Sequence, residues 1–163
     1  MAKIYFETSF VSYLVARISR DLIMAARQQI TLAWWDKERA NHELYASEIV
    51  LREARQGDPN EIAKRDAILK DLQILDVPDS AENLAALLIK RHALPAKAAA
   101  DALHIAVATV HGMDYLLTWN CKHIANLTMR AAIERTCRVS GYEPPVIGTP
   151  EEFGVCQKNL ESE

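Results

Sequence analysis

The sequence lacks the features that define several large classes of protein. Its formal net charge is −3, so overall charge does not indicate nucleic-acid binding, and any contact with RNA or DNA would need a local basic patch. No apolar run approaches the length of a membrane span, and the start MAKIYFETSF lacks the long apolar core of a signal peptide. We therefore expect a cytoplasmic protein with no membrane segment.

Cysteine is scarce and shows no pairing pattern. The three cysteines, Cys121, Cys137 and Cys156, are odd in number and widely spaced. No CxxC or Cys/His spacing indicates a zinc site. Reduced thiols are expected, in keeping with a cytoplasmic protein.

No internal repeat, low-complexity segment or linker divides the chain. Its 163 residues suit one domain, and with half of them apolar and 25% charged the composition is that of an ordinary globular protein. We predict one domain over residues 1–150 and a flexible C-terminal tail over residues 151–163.

Short β-prone runs alternate with helical patterns along the whole domain. The runs are residues 3–6, 43–46, 72–75, 115–118 and, at an edge, 146–147. Asp58 followed by Pro59 predicts the start of one helix, and Asp79 with Glu82 predicts a capping box at another. Gly57 is predicted to end a helix. Strands that alternate with helices favour an α/β fold with a parallel sheet.

Three acids and one amide stand at comparable places in this pattern. Glu7 directly follows the first strand, and Glu53 lies two turns into the helix after the second. Asp101 lies near the start of the helix before strand 115–118, and Asn120 follows that strand by two residues. Ligands collect beyond the carboxyl ends of strands in open α/β sheets, so the four side chains could converge there.

A convergence of three carboxylates would require a cation, because the like charges repel one another. Oxygen ligands suit Mg²⁺ or Mn²⁺, and such an ion lowers the pKa of a bound water and stabilises charge on a phosphoryl group. That is the chemistry of phosphodiester hydrolysis. Spacing alone leaves a simpler interpretation open, since an acid after a strand is most often a cap or a solvated loop residue.

Three segments together resemble the PIN-domain family, in particular the VapC-like ribonuclease toxins of bacterial type II toxin–antitoxin pairs. They are IYFETSFVSYL from residue 4, YASEIVLREARQGD from residue 45 and DALHIAVATVHGMDYLLTWNCKHI from residue 101. The resemblance implies a PIN-like α/β/α sandwich whose central, mostly parallel sheet is flanked by helices. It also implies an endoribonuclease dependent on Mg²⁺ or Mn²⁺, a cognate antitoxin protein that covers the groove, and a homodimer.

The resemblance assigns the family's acids one by one. The first, usually aspartate, falls on Glu7, the second on Glu53 rather than Glu48, and the third on Asp101. These three are the implied metal ligands. The fourth catalytic position, usually aspartate, is Asn120, which can ligate through its oxygen or hold a water but brings no charge.

The missing charge at Asn120 leads to an alternative function. A catalytically weak PIN-fold module that binds RNA or a protein would keep the fold without efficient hydrolysis. A phospho-accepting receiver domain is disfavoured, because no obvious phosphorylated aspartate follows a central strand.

Three further side chains are candidates for substrate binding. Thr8 and Ser9 either cap the first helix or, for Thr8, hydrogen-bond a metal-bound water or a phosphate. Arg20, with Arg17 and Arg27, forms either a basic stripe for RNA phosphates or a solvated helix face.

Two histidines and two tryptophans allow a structural and a functional interpretation. His104, three residues after Asp101, is more readily a satisfied core histidine than a ligand, and His123 either flanks the site or has a structural role. Trp34 and Trp35 are adjacent, so we expect one in the core and one covering a surface.

Overall fold

A five-stranded parallel sheet forms the centre of the protein, for which a computed structural model describes residues 1–153. The strands are β1 (Lys3–Phe6), β2 (Glu43–Ser47), β3 (Gln73–Leu75), β4 (Tyr115–Leu117) and β5 (Val146–Gly148). Their order is β3-β2-β1-β4-β5, and every pairing is parallel. The chain runs outward from β1 to β3 and then crosses back to β4 beside β1. The topological switch point therefore lies between β1 and β4.

Helices cover the sheet in two groups. They are α1 (Thr8–Val15), α2 (Leu22–Glu38), α3 (Glu48–Ala54), α4 (Pro59–Leu69), α5 (Asp79–Lys90), α6 (Ala99–Val110) and α7 (Leu127–Val139). Helix α1 contacts α2, α3 and α4, whereas α5 contacts α6 and α7. This arrangement confirms the predicted α/β/α sandwich.

The helix starts follow their local signals, with two exceptions. Asp58 caps α4 by accepting bonds from the backbone N–H groups of Asn60, at 2.8 Å, and Glu61, at 3.3 Å. The predicted cap at Asp79 is wrong: Pro78 occupies the cap position, and Asp79 is already helical. Helix α1 is capped by Glu7 and not by Thr8 or Ser9, because the strand ends at Phe6 and the helix begins at Thr8, which leaves Glu7 at the cap position.

Successive residues of β1 point to opposite faces of the sheet, as strand geometry requires. Tyr5 is directed toward α6, where its hydroxyl contacts His104. Phe6 is directed the other way, and its ring lies 4.5 Å from that of Phe10 in α1. Both side chains are fully buried, so β1 contributes to the core on each face.

Both tryptophans of α2 lie in the core, which corrects the expectation that one of them covers a surface. Trp34 and Trp35 are 4% and 8% exposed. Their rings meet Phe6 edge-on, at centroid distances of 5.4 and 5.9 Å, and both also contact Phe10. Adjacent helical positions diverge by about 100°, which is still within a broad apolar stripe, so two large indoles can reach the same phenylalanines.

The end of the described chain packs against the domain. Residues Pro150–Glu152 form a short 3₁₀ helix, and the Phe153 ring lies 5.5 Å from Trp34 and 5.1 Å from Tyr115. The boundary predicted after residue 150 therefore falls inside a packed segment. The rest of the predicted tail, residues 154–163, lies outside the described residues.

The structure also tests the expectations that the chain has no membrane segment and that its cysteines are reduced. No helix within residues 1–153 is long and apolar enough to cross a membrane. Cys121 is exposed, Cys137 is buried, and both are free thiols, while Cys156 lies outside the described part of the chain.

Candidate metal centre

The candidate site lies at the switch point of the sheet. Glu7 follows β1 directly and Thr118 follows β4 directly. The backbone N–H of Glu7 donates to the Leu117 carbonyl at 3.1 Å, which holds the two strand ends side by side. Open α/β sheets bind their ligands at this position.

Glu7 is buried and its carboxylate is held by one oxygen. Oε2 accepts hydrogen bonds from the Ser9 backbone N–H at 3.1 Å, from the Ser9 hydroxyl and from the Thr118 hydroxyl at 2.7 Å. Oε1 makes no hydrogen bond with any residue of the described chain. The positive end of α1 also favours a negative charge here.

Glu53, in the last turn of α3, is held in the same way. Its Oε1 accepts bonds from the Thr8 hydroxyl at 2.8 Å and from His104 Nε2, and its Oε2 has no hydrogen-bond partner within residues 1–153. Burial acts to raise the pKa of the Glu53 carboxyl, but the bonds from His104 and Thr8 outweigh it and hold that pKa below its usual value. The side chain is therefore ionised at neutral pH.

His104 is fully buried and joins Glu53 to the interior of the sheet. Its Nδ1 lies 2.7 Å from the Tyr5 hydroxyl, which lies 2.8 Å from the hydroxyl of Ser47. Burial, together with the charges of Glu7 and Glu53, raises the pKa of Tyr5 far above its usual value, so the hydroxyl keeps its proton. His104 is thus the satisfied buried histidine that the sequence favoured, but it also contacts a candidate metal ligand.

Glu7, Glu53 and His104 form a compact group of potential ligands. Their ligand atoms all lie within 4.8 Å of one another. Two carboxylates this close repel each other unless a cation lies between them. Each has one oxygen that is not hydrogen-bonded by any residue in the described part of the chain. Carboxylate oxygens suit Mg²⁺ and Mn²⁺, so this donor set fits the ion that the sequence implied.

Asp101 and Asn120 hydrogen-bond to each other, and among the described residues neither side chain hydrogen-bonds to Glu7, Glu53 or His104. The amide nitrogen of Asn120 donates to Asp101 Oδ1 at 3.0 Å, and His123 Nδ1 lies 2.8 Å from Asp101 Oδ2. The backbone N–H of His123 donates to the Asn120 amide oxygen at 3.1 Å. His123 therefore flanks the site, as one of its two interpretations proposed.

A threonine hydroxyl connects the two halves of the site. Thr118 Oγ1 accepts a bond from the backbone N–H of Asn120 at 2.9 Å and donates to Glu7 Oε2. Sequence analysis missed this residue, although Thr118 follows β4 as directly as Glu7 follows β1. The site thus comprises a Glu7–Glu53–His104 half and an Asp101–Asn120–His123 half.

Of the three candidate substrate-binding residues, Thr8 and Ser9 contact the carboxylates of the site, whereas Arg20 lies on the surface. The hydroxyls of Thr8 and Ser9 donate to Glu53 and Glu7, and the Ser9 hydroxyl also accepts from the Trp119 backbone N–H at 2.8 Å. Arg20 is exposed and makes no hydrogen bond or ion pair with the site within the described residues. The substrate roles of these three residues stay predictions.

The basic stripe is only partly solvated. The guanidinium of Arg27 stacks over the Trp119 ring at 5.2 Å from its centroid. Arg17 is exposed, like Arg20. Since Trp119 directly follows Thr118, Arg27 is the arginine of this stripe that packs against a neighbour of the site.

Comparison with known proteins identifies the family. The fold is an open parallel α/β sheet with paired carboxylates at its switch point. The model of the PIN domain family matches residues 4–121, and the chain belongs to that family. A search among curated proteins finds no significant match.

Two solved structures illustrate the likeness of the fold. One is the crystal structure of VapC20 from Mycobacterium tuberculosis, described as a sarcin-ricin loop cleaving toxin. Its sequence is 20% identical to this one, the TM-score is 0.58, and the alignment covers 79% of this chain and 94% of the VapC20 chain. VapBC2 from Rickettsia felis, bound to a DNA fragment from its promoter, is 15% identical with a TM-score of 0.60, covering 90% of this chain and 97% of that one. At this identity the likeness shows a common fold.

Proposed function

We propose that the protein is a divalent-metal-dependent endoribonuclease that hydrolyses RNA phosphodiester bonds. The observation that carries this proposal is the pair Glu7 and Glu53. Each carboxylate is anchored through one oxygen, and its other oxygen has no hydrogen-bond partner among residues 1–153, at the switch point of a PIN domain. VapC20, whose fold is similar, is described as a cleaving toxin, which supports a nuclease.

We assign each residue a role in this proposal. Glu7 and Glu53 would hold Mg²⁺ or Mn²⁺, and Asp101 adds the third carboxylate from α6. When bound, the ion lowers the pKa of a coordinated water and stabilises charge on the phosphoryl group. Ser9 and Thr118 orient Glu7, and Thr8 orients Glu53. Asn120 holds Asp101 through its amide N–H.

RNA cleavage by matched variants tests the proposal. We expect the purified protein to cleave RNA with Mg²⁺ or Mn²⁺ and to stop when EDTA is added. Glu7→Gln, Glu53→Gln and Asp101→Asn should each lower the rate at least about 100-fold, since even residues outside the ligand shell are worth 10–100-fold. Glu48→Gln is the control, because Glu48 is an exposed acid on the same helix as Glu53.

Two results would reject the nuclease. One is the absence of RNA cleavage with either ion. The other is cleavage that survives both Glu7→Gln and Asp101→Asn.

A catalytically weak binding module is the second candidate. It is favoured by Asn120, whose uncharged amide contacts Asp101 where the family usually has a fourth carboxylate. Titration calorimetry with Mn²⁺ separates the two functions. Binding that is lost in Asp101→Ala supports the enzyme, and the absence of Mn²⁺ binding supports the module.

We also propose that the protein is the toxin of a toxin–antitoxin pair. The fold of VapBC2, which was solved on DNA from its promoter, supports a protein partner, and a homodimer is expected from the family. Expression of this chain alone should arrest growth. We expect a small neighbouring reading frame that encodes a DNA-binding antitoxin, and its co-expression should relieve the arrest and yield a complex. Growth that is unaffected by the chain alone would contradict the toxin assignment.

A further inference from the structure

Three fully buried side chains connect the interior of the sheet to Glu53. Ser47 at the end of β2, Tyr5 in β1 and His104 in α6 are each 0% exposed. Hydrogen bonds join Ser47 to Tyr5 and Tyr5 to His104, at 2.8 and 2.7 Å, and His104 Nε2 bonds Glu53 Oε1. We refer to Ser47, Tyr5 and His104 as the buried relay.

The direction of the relay follows from counting hydrogens. His104 Nε2 lies within hydrogen-bond distance of Glu53 Oε1, and a carboxylate oxygen is an acceptor, so we assign the hydrogen of this bond to His104 Nε2. Ser47 Oγ accepts from the Val50 backbone N–H at 3.4 Å, and the partner of Ser47 for its own hydrogen within the described chain is Tyr5. If Ser47 donates to Tyr5 and Tyr5 donates to His104 Nδ1, every polar hydrogen of these three side chains has an acceptor, as is usual for buried polar groups.

The end of the relay bears directly on the site. His104 and Thr8 both donate to the same carboxylate oxygen, Glu53 Oε1. A glutamate on a helix has three flexible torsions, and two donors on one oxygen restrict them. Glu53 Oε2 receives a hydrogen bond from neither donor and has no other hydrogen-bond partner in residues 1–153.

We propose that Ser47, Tyr5 and His104 are positioning residues of the metal site, which hold Glu53 so that one carboxylate oxygen remains free for the ion. His104 in this arrangement is a hydrogen-bond donor and not a metal ligand. The inference rests on the proposed metal-dependent function. The inference adds to that function a role for three buried residues that are connected to the proposed ligand Glu53 by hydrogen bonds.

Titration with Mn²⁺ measures the effect of the relay without relying on catalysis. Tyr5→Phe removes one hydroxyl and keeps the ring, and we expect the dissociation constant for Mn²⁺ to rise about threefold to tenfold. His104→Leu should raise it about 10- to 100-fold. His104→Gln should restore affinity to within a few-fold of the wild type, because the amide N–H can still donate to Glu53.

Tyr45→Phe is the matched control for the relay. Tyr45 lies opposite Tyr5 on the neighbouring strand, is also buried, and its hydroxyl makes no hydrogen bond within the described residues. Its removal should leave Mn²⁺ affinity unchanged. Thermal unfolding of each variant shows whether it is folded, and the two His104 variants test the relay independently if Tyr5→Phe does not fold.

A spectroscopic measurement separates the donor role of His104 from direct ligation. Pulsed electron paramagnetic resonance of bound Mn²⁺ should show no directly coordinated nitrogen. A coordinated nitrogen that disappears in His104→Gln, or equal loss of affinity in His104→Gln and His104→Leu, would overturn the proposal. So would unchanged Mn²⁺ affinity in both Tyr5→Phe and His104→Leu, with binding still dependent on Glu7. If the wild-type protein binds no Mn²⁺, the proposed metal-dependent function is wrong, and the proposed role of the relay is wrong as well.

Discussion

The amide nitrogen of Asn120 donates to Asp101 Oδ1 at 3.0 Å, so the uncharged member of the site contacts one of its acids directly. The same amide accepts the backbone N–H of His123 through its oxygen. The orientation of the amide is thereby determined, because a flip would place an NH₂ group against an N–H and an oxygen against a carboxylate. Asn120 therefore places a neutral group beside Asp101 where an aspartate would add a negative charge, and its hydrogen bond restrains the Asp101 side chain.

Asn120→Asp should destabilise the metal-free protein and increase its response to Mn²⁺. The substitution replaces a hydrogen bond by two facing carboxylates, which we expect to cost about 1–3 kcal/mol of unfolding free energy in EDTA. Mn²⁺ should recover this loss, and the variant should bind the ion more tightly than the wild type does. Urea denaturation with EDTA and with Mn²⁺ measures both effects.

The control for this prediction is Asn126→Asp, which makes the same change of charge at the cap of α7. It should show no added response to Mn²⁺. Weaker Mn²⁺ binding in Asn120→Asp would show that Asn120 does not face the ion.

The contribution of Glu53 to stability should depend on pH in a defined direction. Its pKa in the folded protein is below the usual value that applies in the unfolded chain. The contribution is therefore fully present above the unfolded pKa, about 4.3, and is lost as pH falls through the folded pKa. In EDTA, the difference in unfolding free energy between the wild type and Glu53→Gln should shrink between about pH 6 and about pH 3.

Glu48→Gln, on the same helix, controls for the loss of an exposed charge. A difference for Glu53→Gln that grows as pH falls would mean that His104 and Thr8 do not favour the ionised carboxylate.

Trp35→Ala should be strongly destabilising, because the side chain lies in the aromatic cluster with Phe6 and Phe10. Truncation of a buried tryptophan typically costs about 3–5 kcal/mol. Leu32→Ala, a partly exposed position on the same helix, should cost much less. Chemical denaturation of the two variants compares them, and similar small losses would place Trp35 on a surface after all.

Asp58→Ala should lower stability without affecting RNA cleavage. Asp58 caps α4 through two backbone N–H groups and is exposed. Loss of such a cap costs about 1 kcal/mol, whereas Asp58→Asn keeps an acceptor and should cost less. A large loss of cleavage in Asp58→Ala at a temperature where it remains folded would assign Asp58 a role in the site.

The sequence predicted elements whose signals are local. The strands and the cap at Asp58 were correct because β-prone runs and capping residues act within a few positions. The predicted cap at Asp79 was wrong because α5 begins one residue earlier than the capping signal indicates: Asp79 is its first residue, and Pro78 precedes it with no side-chain cap bond. For α1 the sequence favoured a hydroxyl cap, yet the first carboxylate of the site performs that role.

The pairings within the site depended on information that one sequence does not contain. Glu7 and Glu53 are close because β1 and β2 are neighbouring strands. The sequence predicts a parallel sheet but does not give the order of its strands. The bond from His104 to Glu53 needs the rotation of α6 relative to the sheet, and helical periodicity indicates only that His104 is buried. The contact between Asp101 and Asn120 depends on how the segment after β4 folds. Within that segment the backbone N–H of Asn120 donates to the Thr118 hydroxyl, and the backbone N–H of His123 donates to the Asn120 amide oxygen.

The last two residues of β1 and the residue that follows the strand lie in three different environments: Tyr5 in the buried relay, Phe6 in the aromatic cluster and Glu7 in the metal centre. A strand alternates with a period of two, so adding or deleting one residue here would exchange the two faces. The Tyr5 hydroxyl would enter the aromatic cluster, and the carboxylate would move off the strand end. We expect β1 to tolerate substitutions at some positions but no change of length. In a library that contains single-codon substitutions, insertions and deletions across β1, folded variants should include some substitutions and none of the insertions or deletions.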